Sequence, residues 1–310
     1  MFRHALAFSL LAASAATAEP FTIAALGDAP YGVPEEVYAP YEALIGAINA
    51  VKPQLVIHVG DIKAGSTPCS DALITDQRDF LNRFDAPVLY TPGDNEWTDC
   101  HRKAAGGFDP LERLAFLRKT FFAAPKTLGK TPVDVTSQAA AGYPENTRLT
   151  INDVTFMGVH VVGSNNNFEI RDIKAVEEFM ARDKANLAWL EESFAAAKDA
   201  KAVVVAIQAD IFEFDWNAGE EGFLRHSGFA NFSPKLIELS AAFGKPVLLV
   251  YGDSHVYRNA RPFPTKAPNV MALEVPGEAE MHAVEVTIDP ATSGVFATRL
   301  IRNPAIRVEG

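Results

Sequence analysis

Four aspartates stand out for the chemistry they could do together, because each ends an apolar run and follows a glycine. Phe21-Thr22-Ile23-Ala24-Ala25-Leu26 leads into Gly27-Asp28, Leu55-Val56-Ile57-His58-Val59 into Gly60-Asp61, and Val88-Leu89-Tyr90-Thr91-Pro92 into Gly93-Asp94. Far downstream, Pro246-Val247-Leu248-Leu249-Val250-Tyr251 leads into Gly252-Asp253-Ser254-His255. Like charges brought within a few ångströms raise one another's pKa until one is neutralised, so converging carboxylates call for a cation. Two divalent ions roughly 3.5–4 Å apart and bridged by one carboxylate would activate a hydroxide for in-line attack on phosphorus.

Convergence has to come from the elements that carry the aspartates. Runs of β-branched and large apolar residues with little alternation suit strands covered on both faces. Glycine then permits a sharp turn that leaves aspartate at the strand's carboxyl end, the edge where open α/β sheets bind ligands. The even spacing of Asp28, Asp61 and Asp94 matches one βαβ unit per step. Helical periodicity between them predicts helices over Pro34 to Val51, Asp71 to Phe84 and Pro110 to Phe122. Asn152-Asp153 predicts a hairpin between Asn146–Ile151 and Val154–Val162. A long helix from Ala175 to Lys198, a buried strand from Ala202 to Ile207 and a helix capped by Ser233-Pro234 and ending at Gly244 follow. Asp215 to Phe232, with His226, reads as a loop reaching over the site. Val270–Val275, Ala283–Ile288 and Val295–Ile301 read as antiparallel strands finishing a second sheet.

Composition narrows the setting. Arg3, an apolar stretch from Ala5 to Ala13 and Ala16-Thr17-Ala18 form a secretory signal over residues 1–18, too short to span a bilayer. The expected location is periplasmic or secreted, with 19–310 as a single domain. A net charge of −11 disfavours a grip on nucleic-acid backbones. No later apolar run reaches the roughly 20 residues of a membrane span. The only two cysteines, Cys69 and Cys100, each follow a Gly-Asp turn; export favours a disulfide over two free thiols.

Read in order, Gly27-Asp28-Ala29-Pro30, Gly60-Asp61-Ile62-Lys63, Gly93-Asp94-Asn95-Glu96, a strand ending in Gln208, and Gly252-Asp253-Ser254-His255 resemble the motif series of the calcineurin-like metallophosphoesterases, which include the purple acid phosphatases. The helix Asn186-Leu187-Ala188-Trp189-Leu190-Glu191-Glu192 is also similar. The resemblance implies an α/β fold of two packed mixed β-sheets flanked by helices, a four-layer αββα sandwich. It implies Asp28 and His255 on a first metal, Asp61 bridging, and Asp94 and Asp253 on a second. Pro30 and Gln208 stand where the family has histidine ligands, and Asn95 stands where it has the histidine that helps protonate the leaving group. Exchanging imidazole for oxygen hardens the site, so one or two ions of Mn²⁺, Mg²⁺ or Ca²⁺ are expected over Zn²⁺ or Fe.

His101, in Glu96-Trp97-Thr98-Asp99-Cys100-His101-Arg102, is a candidate replacement acid, and Arg102 a candidate bidentate partner for phosphate oxygens. Asn165 is a candidate substrate contact, with turn formation explaining it nearly as well. Tyr31 and Lys63 flank the site, Lys63 as a charge offset. His58 and His160 read as core histidines. The expected function is metal-dependent phosphoester hydrolysis of a small phosphorylated substrate. The alternatives are a family member that binds metal or a phosphorylated ligand without turnover, and a sheet-edge ligand-binding module with no metal.

Overall fold

The computed structural model describes residues 19–212 and 227–306. The expected leader over 1–18 and the segment 213–226, including His226, lie outside the described residues. In chain order the strands are β1 (Phe21–Leu26), β2 (Val56–His58), β3 (Val88–Tyr90), β4 (Thr136–Gln138), β5 (Tyr143–Ile151) and β6 (Val154–Gly158). They continue with β7 (Ala202–Ala206), β8 (Val247–Tyr251), β9 (Arg258–Ala260), β10 (Val270–Glu274), β11 (Ala283–Ile288) and β12 (Phe296–Ile301). One sheet runs β12-β11-β1-β2-β3 and the other β4-β5-β6-β7-β8-β10-β9.

The long apolar runs exist because every central strand is covered twice. In β1, Ile23 and Ala25 face the core between the sheets, together with Ile57, Phe156, Val204, Val250 and Val286. Ala24 and Leu26, on the other face, pack beneath the helices α1 (Pro34–Val51), α2 (Asp71–Leu81) and α3 (Pro110–Phe121). On the far side, Met157, Val203, Val205 and Leu249 lie with Trp189, Leu190 and Phe194 of the helix Ile173–Ala196 and with Phe232 and Leu236 of the helix Phe232–Phe243. Three apolar layers between four structural ones make the expected αββα sandwich. Parallel pairing of β1 with β2 and of β2 with β3 sets Leu26, His58 and Tyr90 side by side, so their following loops start from one edge.

Three expectations need correction. β10 is parallel to β8, not antiparallel, because the short edge strand β9 carries the chain back before β10 begins. β11 and β12 do not finish the second sheet; β11 pairs antiparallel with β1 and closes the first. Ser233 is not a cap: Asn231 precedes the helix without a side-chain cap bond, and Ser233 is buried within its first turn. The hairpin at Asn152-Asp153 forms as expected, both residues having positive φ (48° and 64°), as a two-residue hairpin turn favours.

Two buried polar ties cross the layers. Arg118 of α3 grips Glu145 of β5 through both carboxylate oxygens (2.5 and 3.0 Å), and His160 Nδ1 lies 2.9 Å from the same group. Arg182, fully buried, donates to the carbonyls of His160 and Asn166, to Asn166 Oδ1 and to Glu178. Burial alone would raise the Glu145 pKa, but His160 and Arg118 outweigh it and hold the carboxyl down at about 2, against an ordinary 4.5. A depressed carboxyl contributes stability above its unfolded value and loses it on acidification. Glu145→Gln is therefore expected to cost on the order of 2–3 kcal/mol near neutrality. Melting curves of variant and parent should converge as pH falls from 4.5 toward 2.

Candidate metal centre

Each candidate acid sits at the first turn after its strand. Asp28 (φ 51°), Asp61 (φ 53°), Asp253 (φ 78°) and His255 (φ 63°) all adopt left-handed backbone, which aspartate tolerates better than most side chains. Only Gly60 among the four preceding glycines has positive φ (94°). The others serve by being small. A Cβ on Gly93 would lie 2.0 Å from Asp61 Oδ1, and one on Gly252 would lie 2.1 Å from Asp28 Oδ2. Each glycine thus makes room for a carboxylate from another strand end.

Ligand oxygens of Asp61, Asp94 and Asp253 all lie within 4.8 Å of one another. Asp61 Oδ2 accepts from the Tyr31 hydroxyl (2.8 Å) and from Asn95 Nδ2 (2.8 Å), and its Oδ1 accepts from the Asn95 backbone N–H (3.1 Å). Asp94 Oδ2 accepts from Ser164 Oγ (2.6 Å), whereas its Oδ1 is buried without a partner. Asp253 Oδ2 accepts from the Asp210 N–H (3.1 Å). Asp28 backs this group: its Oδ1 accepts from the Asp253 N–H (3.0 Å) and lies 3.5 Å from His255 Nε2, and its Oδ2 is buried and unpartnered.

Burial pushes the Asp28 and Glu96 carboxyls up, and burial together with Asp94, Glu96, Asp28 and Asp253 pushes Asp61 well above the usual range. Burial pulls Lys63 down, against the pull of Glu96, Asp61, Asp99 and Asp94. Burial would also lower His255, but Asp28 and Glu278 outweigh it and raise its pKa. Two unpartnered buried carboxylate oxygens amid like charge are the arrangement that a cation relieves, so these residues fit a divalent ion.

The other candidates divide. Gln208 is fully buried, but its Oε1 already accepts from the Gly163 N–H and its Nε2 has no partner. Asn95 is bonded to Asp61 and to the Tyr31 hydroxyl (2.7 Å). His101 is exposed with Nδ1 2.6 Å from the Thr98 carbonyl, and Arg102 is held by Asp99 at 2.6 Å. Both line a cleft of about 740 Å³ with Leu111, Arg171 and Lys174. Asn165 turns away from this chemistry: Oδ1 accepts from the Gly228 N–H and Nδ2 donates to the Phe168 carbonyl, the turn-forming alternative. His58 is a core histidine, its Nδ1 accepting from the Gly60 N–H, with burial lowering its pKa to about 3. His160 is likewise buried. The disulfide Cys69–Cys100 is present.

Sequence reasoning missed Ser164, Asp99 and Glu96. Ser164 Oγ joins Asp94 (2.6 Å) to Asp99 (2.9 Å), and burial and Asp94 raise the Asp99 pKa to about 6. Glu96 Oε1 accepts from the N–H groups of Ile62 and Gly93 and from the Tyr90 hydroxyl, fastening the loops after β2 and β3 together. Its place in Gly93-Asp94-Asn95-Glu96 was the only available signal for Glu96. Nothing local to Ser164 marked it.

Among known proteins, the model of calcineurin-like phosphoesterases matches residues 21–257. No curated protein sequence matches. Similar solved structures include GAP50, the anchor in the inner membrane complex of Plasmodium (11% identity, TM-score 0.51, covering 93% of this chain and 90% of that one). Others are the purple acid phosphatase PPD1 of yellow lupin, Lupinus luteus (10% identity, TM-score 0.49, covering 91% of this chain and 54% of that one), and the 5'-nucleotidase of Candida albicans (8% identity, TM-score 0.47, covering 90% and 50%).

Gly93→Ala is expected to displace the Asp61 carboxylate and lower stability by more than about 2 kcal/mol. The control is Gly46→Ala in α1, where nothing lies within 4 Å of the added methyl. It should be neutral or stabilise by up to about 1 kcal/mol. Denaturant melts of the two variants give the comparison.

Proposed function

Because the chain belongs to the calcineurin-like phosphoesterase family, we propose that it is an exported, cation-dependent hydrolase of a small phosphorylated substrate, with 19–310 as its one domain. The observation that carries this reading is the convergence of Asp61, Asp94 and Asp253 with Asp94 Oδ1 buried and unpartnered. Donors that are mostly carboxylate oxygens favour Mg²⁺, Mn²⁺ or Ca²⁺ over Zn²⁺. The Cys69–Cys100 disulfide supports an oxidising location. No helix among the described residues is long and apolar enough to cross a membrane.

When bound, the ion supplies Lewis-acid polarisation of a phosphoryl oxygen and activation of water. The chain's own residues do the rest. Arg102 has a side chain half exposed at the cleft; its Nη1 is fixed by Asp99 and its Nη2 lies 3.5 Å from Ser164 Oγ, which leaves the other N–H groups of the guanidinium for phosphate oxygens. A carbonyl only accepts, so His101 Nδ1 donates to Thr98 and Nε2 is left to hold or release the leaving group's proton. The Asn95 amide is no acid; it orients Asp61 and Tyr31.

A second reading, binding without turnover, is favoured by the commitment of Gln208 Oε1 to Gly163 where the family has a metal-binding histidine. A protein described as an anchor has a similar fold, and fold by itself does not decide between the two.

Turnover of aryl phosphates and phosphodiesters measured across Mg²⁺, Mn²⁺, Ca²⁺ and Zn²⁺ separates the readings. Hydrolysis should vanish with chelator, and chelation should lower the melting temperature, because an ion bound only by the folded state stabilises it. Asp94→Asn should reduce turnover by about a hundredfold or more; metal-independent hydrolysis that survives this change would exclude the proposal. His101→Ala should slow hydrolysis of alkyl esters by about a hundredfold while sparing nitrophenyl esters, whose leaving group needs no acid. Equal loss on both substrates would remove His101 from that role.

A further inference from the structure

We infer, resting on the reading of a cation-dependent site above, that the chain holds one divalent cation, on Asp61, Asp94 and Asp253, and not a carboxylate-bridged pair. The reason is the supply of lone pairs on Asp61. An ionised carboxylate offers about four acceptor positions. Both positions on Asp61 Oδ2 are taken, by the Tyr31 hydroxyl and by Asn95 Nδ2, each at 2.8 Å. One on Oδ1 is taken by the Asn95 backbone N–H at 3.1 Å. At most a single position remains, since the Glu96 carboxyl also reaches Asp61; that can serve one ion, whereas a bridging carboxylate must serve two.

The remaining donors point the same way. Asp94 is only 5% exposed and keeps Oδ1 unpartnered beside Asp61 and Asp253, so one ligand set is complete and unsatisfied. Asp28 and His255 form a pair (3.5 Å), but no third histidine, cysteine or carboxylate donor among the described residues completes a set with them within 4.8 Å. Asp28 Oδ1 is already bonded to the Asp253 N–H, and its Oδ2, buried and unpartnered, joins no three-donor set among the described residues; His255 Nδ1 faces Glu278 Oε2 at 3.2 Å, and Gln208 Oε1 is held by Gly163. Position 30, on the same side, is a proline with no donor to offer. Asp28 therefore acts on the ion through the Asp253 backbone, as a positioning residue.

The test is a Mn²⁺ titration of the chelator-stripped full chain, with bound metal measured by equilibrium dialysis and the bound ions' electron paramagnetic resonance recorded at saturation. Expected are one Mn²⁺ per chain and the signal of an isolated ion. Asp94→Asn should weaken binding about tenfold or more, and His255→Ala should leave it unchanged. Two Mn²⁺ per chain, an exchange-coupled pair signal, or equal losses in the two variants overturn the inference. The stoichiometry is read on the parent protein, so it stands even if a variant fails to fold. Two ions with hydrolysis would leave the hydrolase reading intact and remove this one; one ion without hydrolysis would do the reverse. A folded chain that binds no Mn²⁺ would remove both.

Discussion

Everything at the strand ends follows from forcing carboxylates together where water is scarce. Asp28, Asp61 and Asp94 are buried and Asp253 is partly buried, and burial, more than any neighbouring charge, pushes the carboxyls of the first two upward. The group cannot relax by spreading apart. Asp28, Asp61 and Asp94 hang from strands fixed in parallel register and Asp253 from β8 of the other sheet, and glycines at 93 and 252 let neighbouring backbones close in to contact distance. Repulsion so constrained has few outlets: proton uptake, backbone donors, or a cation. Backbone donors are used where they reach, from Asn95 to Asp61, from Asp253 to Asp28 and from Asp210 to Asp253. Asp94 Oδ1 and Asp28 Oδ2 are the oxygens they leave over.

The surrounding backbone is held in unfavourable conformations to make this possible. Ser164, Asn165, Asn166 and Asn167 all have φ between 48° and 61°, a run of left-handed residues that costs roughly 1–2 kcal/mol for each. Asparagine lessens that cost, and Arg182 holds the turn through Asn166 Oδ1 and the Asn166 carbonyl. Asn165 and Asn166 add bonds to the Gly228 backbone, and Asn167 one to Glu178. The product of this arrangement is the position of Ser164, whose hydroxyl reaches both Asp94 and Asp99. A buried arginine in the helix Ile173–Ala196 thus sets the geometry of a carboxylate at the end of β3.

Much of this was legible in the chain because the same residues encode both strand and site. Apolar runs with little alternation require two covered faces, and a Gly-Asp at the end of each places the acids on one edge. Helix α1 matches its expected bounds, since Tyr41, Leu44, Ile45 and Ile48 bury a clear stripe. The late strands were harder. Val270–Glu274 and Ala283–Ile288 have similar apolar patterns, and nothing local says that one pairs with β8 while the other crosses to β1. A sharp turn is all that the local sequence asks of the glycines, whereas Gly93 and Gly252 are required by side chains distant in sequence. Ser164 and Asp99 escaped notice for the same reason: a hydrogen bond between residues this far apart leaves no periodicity to find.

The loop after β3 joins the acid cluster to the cleft. Asp94, Asn95, Asp99, His101 and Arg102 come from one short stretch, so a member of the acid cluster and one wall of the cleft are parts of the same loop. Two attachments fasten it to the loop after β2: Glu96 to the Ile62 N–H, and the Cys69–Cys100 bridge, whose far end is held by Arg113 of α3 donating to the Cys69 carbonyl at 2.9 Å. A bridge spanning 31 residues removes roughly 3–4 kcal/mol of chain entropy from the unfolded ensemble. Because it lies against the Asn95 carbonyl, it also limits how far the loop can drift from Asp61. Reduction would therefore loosen the Asp94 carboxylate and the cleft wall together with the fold, all from one cause.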